Sequence, residues 1–204
     1  MKSIIKNILA SFIAGSLLFS CQKLDVNSPT DVPTEEVFKN ADGLRSALTG
    51  LYSNLQQRDY YGAYYPLMSD LNSDVCTAGG YDIPALNDIG AHAVTASNVY
   101  AEKMYLALYK CIANANEILA AVDNITDVNL GEDERKAIKG QALAIRGMVH
   151  FDALRMFGYH WDAASPYGIP VVLKVQGAYD VIQRSSVTES YAAILKDLND
   201  ADAL

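Results

Sequence analysis

A mostly α-helical chain with long irregular loops is what the sequence predicts, and three observations predict it. Apolar residues recur at steps of three and four over residues 44–55, 100–122 and 138–156, the spacing that lines one face of a helix. The second and third of these stretches are joined by the turn "DNITDVNLG", short enough to fold them into an antiparallel hairpin. Residues 58–96, rich in Gly, Asp, Asn and Tyr, and residues 157–174 lose that period.

The chain opens like an export signal. Lys2 and Lys6 precede the mostly apolar run Ile8 to Phe19, broken only by Ser11, Gly15 and Ser16. A membrane-spanning helix needs about twenty apolar residues, so this run is too short to span well. Leu18, Phe19 and Ser20 then lead straight into Cys21, the order of a bacterial lipobox. Residues 1–20 are therefore expected to be a lipoprotein signal peptide, with Cys21 the lipid-attachment residue. Cysteine suits that role because its sulfur can be alkylated by a diacylglycerol before cleavage makes it the N-terminus. The acyl chains on one such residue exceed the two lipid signals that stable anchoring requires. A plain secretory signal beside a chance cysteine is the competing account.

Residues 21–33, "CQKLDVNSPTDVP", are polar, proline-marked and aperiodic, and read as a tether. Thr34 ahead of Glu35 and Glu36 makes an acid-rich helix start, and Leu44, Ala47, Leu48, Leu51, Tyr52 and Leu55 give the following apolar face. Residues 58–96 read as nonhelical, and a stretch that long in a compact domain is usually functional or an inserted lobe. Helicity resumes after Ser97, the expected N-cap, with Tyr100, Met104, Leu108, Cys111, Ala115, Ile118, Leu119 and Val122 on one face. Glu132, Asp133 and Glu134 open the next helix, where acids suit the positive end of the dipole. Its stripe is Ile138, Ala142, Ile145, Val149, Ala153 and Met156, widened by Phe151 and Leu154. The loop "FGYHWDAASPYGIPVVLK" ends in a short β-like run. Ser186 and Glu189 then form a capping box for a helix carrying Tyr191, Ile194, Leu195, Leu198 and Ala201. That helix meets no cap before Leu204 and nothing that would cover its stripe, so the sequence is expected to be the front part of a longer protein.

Without residues 1–20 the chain carries 14 basic and 24 acidic residues, a net charge of about minus ten. Such a surface is repelled by phosphate backbones, which argues against a nucleic-acid partner. Cys76 and Cys111 have no metal spacing; a disulfide is possible outside the cytoplasm, but two free thiols are the simpler expectation. No phosphate-binding Gly loop, nucleophile elbow or H-E-x-x-H pair occurs, and His92, His150 and His160 are scattered. "DLNSD", Asp70 to Asp74, sets oxygen ligands at alternate positions. Val75 and Tyr81 stand where an EF-hand needs Gly and Glu, so that motif is excluded, and no metal or cofactor is expected. Carboxylates are plentiful, so a glycosidase acid and base pair is not excluded by inventory alone.

The candidate ligand residues lie in the loops. Tyr60, Tyr61, Tyr64, Tyr65 and Tyr81 stand near Asp70, Asn72 and Asp74 in sequence. Sugar rings present apolar C–H faces that stack on aromatic rings, and their hydroxyls need donors and acceptors of the Asp and Asn kind. Tyr64, Tyr65, Tyr81, Asp70, Asn72 and Asp74 are accordingly candidates, and Trp161, beside His160 and Asp162, joins them. The competing account is that these rings pack the loops onto the helices.

Several segments add up in order: Cys21, the "LD" after it, "PTEEVFKNADGLRSALTGLYSNL", Ser69 with Asp70, "MYLALYKCIANANEIL", "KGQALAIRGMVHFDALRMFG", "GIPVV" and "RSSVTESYAAILKDLNDA". Together they cover most of residues 21–204, and the chain resembles the N-terminal part of a SusD/RagB-family outer-membrane nutrient-binding lipoprotein. The resemblance implies helix pairs stacked as tetratricopeptide-like repeats, with residues 34–204 an N-terminal helical domain truncated at its C-terminus. It also implies a surface-exposed, non-catalytic lid, anchored by lipid in the outer membrane. Such a lid captures oligosaccharide and passes it to a SusC-type TonB-dependent transporter. Some relatives serve peptides, so a peptide-binding member is the alternative, and a lipid-anchored glycosidase a more distant one. Only Asp70 and its neighbouring loop carry over as ligand positions from the resemblance.

Overall fold

The computed structural model describes residues 34–73, 75–77 and 83–204. The proposed signal, Cys21 and the tether lie outside the described residues, as do Asp74 and Tyr81. Helices follow in the order α1 (Thr34–Val37), α2 (Ala41–Leu55), a π-helical turn (Arg58–Gly62), α3 (Tyr64–Leu71), α4 (Pro84–Gly90), α5 (Val99–Ala121), α6 (Glu132–Phe157) and α7 (Val187–Asp202). Among the described residues there is no strand, and no helix is long and apolar enough to cross a membrane.

α5 and α6 form the antiparallel hairpin that the short connection predicts. At one end Arg135 on α6 donates to the carbonyls of Val122 and Ile125; at the other, Tyr105 on α5 meets Phe157 at the end of α6, with ring centroids 5.2 Å apart. α2 runs parallel to α6, since Arg45 pairs with Glu134 and the Tyr52 hydroxyl donates to Gln141. α7 returns antiparallel to α6, with Tyr191 facing Phe151 and Asp197 facing Arg146. The result is a stack of helix pairs. Leu44, Leu51, Met104, Leu108, Ile118, Val149 and Leu154 are fully buried along the seams, as the apolar period requires. Gly147 lets α6 and α7 approach closely, because a Cβ there would lie 3.2 Å from Asp197 and Leu198.

Arg146 is the polar centre of this core. Its Nε and Nη2 donate to the two carboxylate oxygens of Asp197 at 2.7 and 2.6 Å, a buried bidentate pair. Its Nη1 donates to Asn116 Oδ1 at 2.7 Å and to the Leu173 carbonyl at 2.9 Å. One guanidinium therefore joins α5, α6, α7 and the 158–186 loop. Burying these charges costs free energy that the ion pair and its hydrogen bonds offset, so removing either partner exposes the full cost.

Four local expectations change. Residues 58–96 are not an open irregular lobe: the π-helical turn, α3 and α4 occupy much of them. Short helices there lack a long apolar period and so leave a weak sequence signal. The N-cap of α5 is Asn98, not Ser97. The Asn98 amide accepts from the Tyr100 and Ala101 N–H groups while donating to the Ala85 carbonyl, and Ser97 bonds Thr95 instead. The run after Gly168 is not a strand: beyond a backbone pairing of Gly168 and Ile169 with Ser185, side chains of the helices take up its backbone groups. Tyr109 donates to the Pro170 carbonyl, Asn116 to those of Val172 and Lys174, and the Val172 N–H donates to His150 Nε2. Phe151, expected on the buried stripe of α6, is exposed beside Tyr191. The capping box at Ser186 and Glu189 forms as predicted. Cys111 is buried, Cys76 is half-buried, and both thiols are free.

Candidate functional site

The tyrosines of the 58–65 segment turn inward. Tyr60 and Tyr61 each donate to Asp152 Oδ2 at 2.5 Å, and Tyr65 donates to Asp152 Oδ1 at 2.7 Å. Asp152 lies on α6, so three phenols from one segment hydrate a buried carboxylate in place of water. Their rings pack on one another, Tyr60 stacked on Tyr61 at 4.3 Å and both edge-on to Tyr65. Burial, with the Asp152 charge adding to it, raises the pKa of all three phenols, that of half-exposed Tyr61 to about 12. Tyr64 packs edge-on against Tyr100 at 5.0 Å. Tyr64 and Tyr65 are only 8 % and 9 % exposed, so neither offers a ring face on which a sugar could stack. In this the structure differs from the sequence expectation for the two residues: Tyr65 is drawn in by the Asp152 acceptor, and Tyr64 is covered by Tyr100 and Arg58. Asp70 and Asn72, at the end of α3, are exposed.

The 158–168 loop carries the opposite arrangement. Tyr159 and Trp161 lie nearly parallel, 18° apart, with ring centroids at 5.2 Å. Tyr167 leans on Tyr159 at 5.3 Å, and His160 stands edge-on to Trp161 at 5.2 Å. Tyr159, Trp161 and Tyr167 are nonetheless 51 %, 71 % and 56 % exposed. Three large rings gathered on one surface and left wet are unusual for residues whose burial is favourable.

The scaffold beneath them is fixed. The Tyr159 N–H donates to the Tyr167 carbonyl at 2.9 Å, which closes the loop, and the Asp162 N–H donates to Tyr159. Asp162 Oδ1 accepts from the Ala164 N–H. The start of α7 holds the other side: Val187 N–H donates to Ser165, Thr188 Oγ1 to Ala163, and the Tyr191 hydroxyl to His160. Arg184 Nη1 donates to the Phe157 and Gly168 carbonyls. Gly168 is required here, since a Cβ would lie 2.4 Å from the Ser186 carbonyl oxygen and Ser190 Oγ. Trp161, a candidate from the sequence, lies in the open beside His160 and Asp162. Tyr159 and Tyr167 were not anticipated; the alternation Tyr-His-Trp, followed six residues later by a second Tyr, is the signal that could have found them.

The larger concavities among the described residues lie elsewhere. One, of about 350 Å³, is walled mainly by Val94, Ala96, Tyr105, Leu106 and Phe157. The other, of about 510 Å³, is an open groove between α6 and α7 lined by Gly140, Ala144, Leu198 and Ala201. Among the described residues no group of three or more His, Cys, Asp or Glu side chains is placed to hold a metal ion.

Comparison with known proteins matches this fold. A family model, SusD-like, described as starch-binding and associating with the outer membrane, matches residues 23–204. The chain belongs to the SusD-like family. It is 25 % identical over 183 residues to SusD-like protein P25 of Formosa agariphila, covering 83 % of this chain and 33 % of that protein. Among solved structures, a SusD superfamily protein from Bacteroides vulgatus superposes with a TM-score of 0.74 at 24 % identity, covering 81 % of this chain and 38 % of that one. A laminarin-binding SusD-like protein superposes with a TM-score of 0.64 at 16 % identity, covering 80 % and 34 %. The fold is therefore the helical SusD fold, and the chain spans about a third of the length of these relatives.

Proposed function

We propose that the protein is a surface lipoprotein that captures oligosaccharides through the Tyr159, Trp161 and Tyr167 platform and delivers them to a SusC-type TonB-dependent transporter. The observation that carries this reading is the platform itself: three exposed rings on a hydrogen-bonded scaffold, in a family described as starch-binding. Aromatic faces suit the C–H faces of pyranose rings, and a fixed loop lowers the ordering cost of binding. Asp70 and Asn72, exposed at the end of α3, supply a second set of polar contacts, with Asp74 and Tyr81 beside them in sequence. Residues 1–20 serve as the export signal, Cys21 carries the lipid, and residues 21–33 tether the domain to the exterior face of the outer membrane. The protein binds without cleaving.

Calorimetric titration of the protein with a panel of neutral and acidic oligosaccharides and of peptides tests the ligand. Saturable heat with at least one oligosaccharide is expected. Binding confined to peptides would move the protein to the peptide-serving branch, and product release from labelled glycans would make it a glycosidase. Labelled palmitate should enter the wild type and not Cys21→Ala; label retained by the variant would refute the anchor.

A further inference from the structure

Resting on that reading, we infer that the platform selects neutral pyranose chains and rejects the uronate and sulfated chains that also reach a cell surface. The charges around the rings carry this. From Gly158 to Leu173 the sequence holds no Lys or Arg, and its one acidic side chain is Asp162. Asp162 uses Oδ1 to hold the Ala164 N–H, and no bond from the described residues reaches its Oδ2, which leaves an anionic acceptor beside the rings. A carboxylate or sulfate brought there meets like charge, whereas a sugar hydroxyl meets an acceptor.

Arg184, the cation that anchors the loop, is engaged in the fold. Arg184 directs Nη1 to the carbonyls of Phe157 and Gly168. Arg155, exposed near the end of α6, lies 5.8 Å over the Phe151 ring. Anionic sugars are recognised by guanidinium or ammonium groups that can pair with each acid, and the platform presents none of its own. The excess of 24 acids over 16 bases in the chain adds long-range repulsion of the same sign. The rings match the remaining requirement. Tyr159 covers one side of Trp161 in a near-parallel stack, and the high exposure of Trp161 leaves ring surface for a pyranose C–H face, with His160 at its edge.

Trp161 is the chain's one tryptophan, so its fluorescence reports on this site alone. The experiment titrates the protein with maltohexaose, laminarihexaose, cellohexaose and hexagalacturonate, following Trp161 emission and its quenching by acrylamide, with calorimetry in parallel. At least one neutral hexaose should shield Trp161 and cut acrylamide quenching by about half. Trp161→Ala should weaken that hexaose by about tenfold or more, and Trp161→Phe by no more than about threefold. Hexagalacturonate bound as tightly as the neutral chains, with the same dependence on Trp161, would overturn the neutral selectivity while leaving glycan capture standing. Heat of binding with Trp161 emission unmoved and Trp161→Ala unchanged would overturn the platform as the site. Shielding of Trp161 by the transporter in the absence of any sugar, with no effect of the hexaoses, would mark it as a protein contact and also overturn the inference. No heat with any saccharide would bring down the proposed function itself.

Discussion

Two aromatic clusters built from the same kind of residue behave in opposite ways in this protein. Tyr60, Tyr61 and Tyr65 turn their hydroxyls onto the buried carboxylate of Asp152, whereas Tyr159, Trp161 and Tyr167 pack side by side and face solvent. The difference lies in what each backbone segment can reach. The 58–65 segment packs on α5, and its phenols reach across to Asp152 on α6, so the rings of Tyr60 and Tyr65 follow their hydroxyls inside. The 158–168 loop satisfies its polar groups along its own backbone and at the start of α7, which leaves its rings no reason to turn inward. Aromatic side chains thus end buried or wet according to where their polar partner sits.

The largest test of this contrast is Asp152→Ala. It strands the Tyr60 and Tyr65 hydroxyls in the core and is expected to cost about 3 to 5 kcal/mol in chemical denaturation. Asp152→Asn keeps one acceptor oxygen and should recover part of that loss. A cost below about 1 kcal/mol for Asp152→Ala would mean that water readily replaces the carboxylate.

Next in size is the response to acid. His150 is buried between Arg146 and Val172, and burial lowers its pKa from 6.5 to about 4, with the Asp197 charge opposing, the Arg146 guanidinium acting in the same direction and the hydrogen bond to the Arg146 carbonyl opposing. The unfolded chain therefore binds the proton first. Stability should fall by about 2 to 3 kcal/mol as pH drops from about 6.5 to 4, then lose no more to this residue. Asp127, Glu134 and Glu189, held below their usual values by hydrogen bonds and, for Glu134, the Arg45 guanidinium, add a further loss below that window. Denaturation curves at stepped pH measure both phases, and a profile flat from pH 7 to 4 would contradict the burial of His150.

Ser186→Ala probes the anchor of the outward cluster. It removes the hydroxyl that accepts from the Glu189 N–H at the start of α7 and should cost about 1 kcal/mol. The smallest effect is expected from Trp161→Ala, which should shift stability by no more than about 0.5 kcal/mol because the ring is already wet. A thermal scan showing a large loss for Trp161→Ala would mean that the outward cluster packs the fold after all.

Most of the helical frame was legible in the sequence, because a run of apolar residues with period 3.6 fixes both the helix and its buried face. Met104, Leu108 and Cys111 on α5 and Ile138, Ala142 and Val149 on α6 all lie where that period puts them. The capping box at Ser186 was equally legible, since its two partners are three residues apart. Of the candidate site, Trp161 was singled out by its polar neighbours in the loop, and the structure leaves it exposed. Tyr64 and Tyr65 were misjudged because the acceptor that draws Tyr65 inward, Asp152, lies 87 residues further along the chain.

Local chemistry therefore determined what the sequence could show by itself: the long helices, the capping box at Ser186, the acidic balance and the family signature. Each depends on residues within a few turns of one another or on simple totals. Only the tertiary structure decided which tyrosines are buried and which three rings gather in the open, and that one arginine joins α5, α6, α7 and the loop. Those outcomes depend on which side chains long-range packing brings within hydrogen-bonding distance, and in this fold the partners are separated by tens of residues of chain.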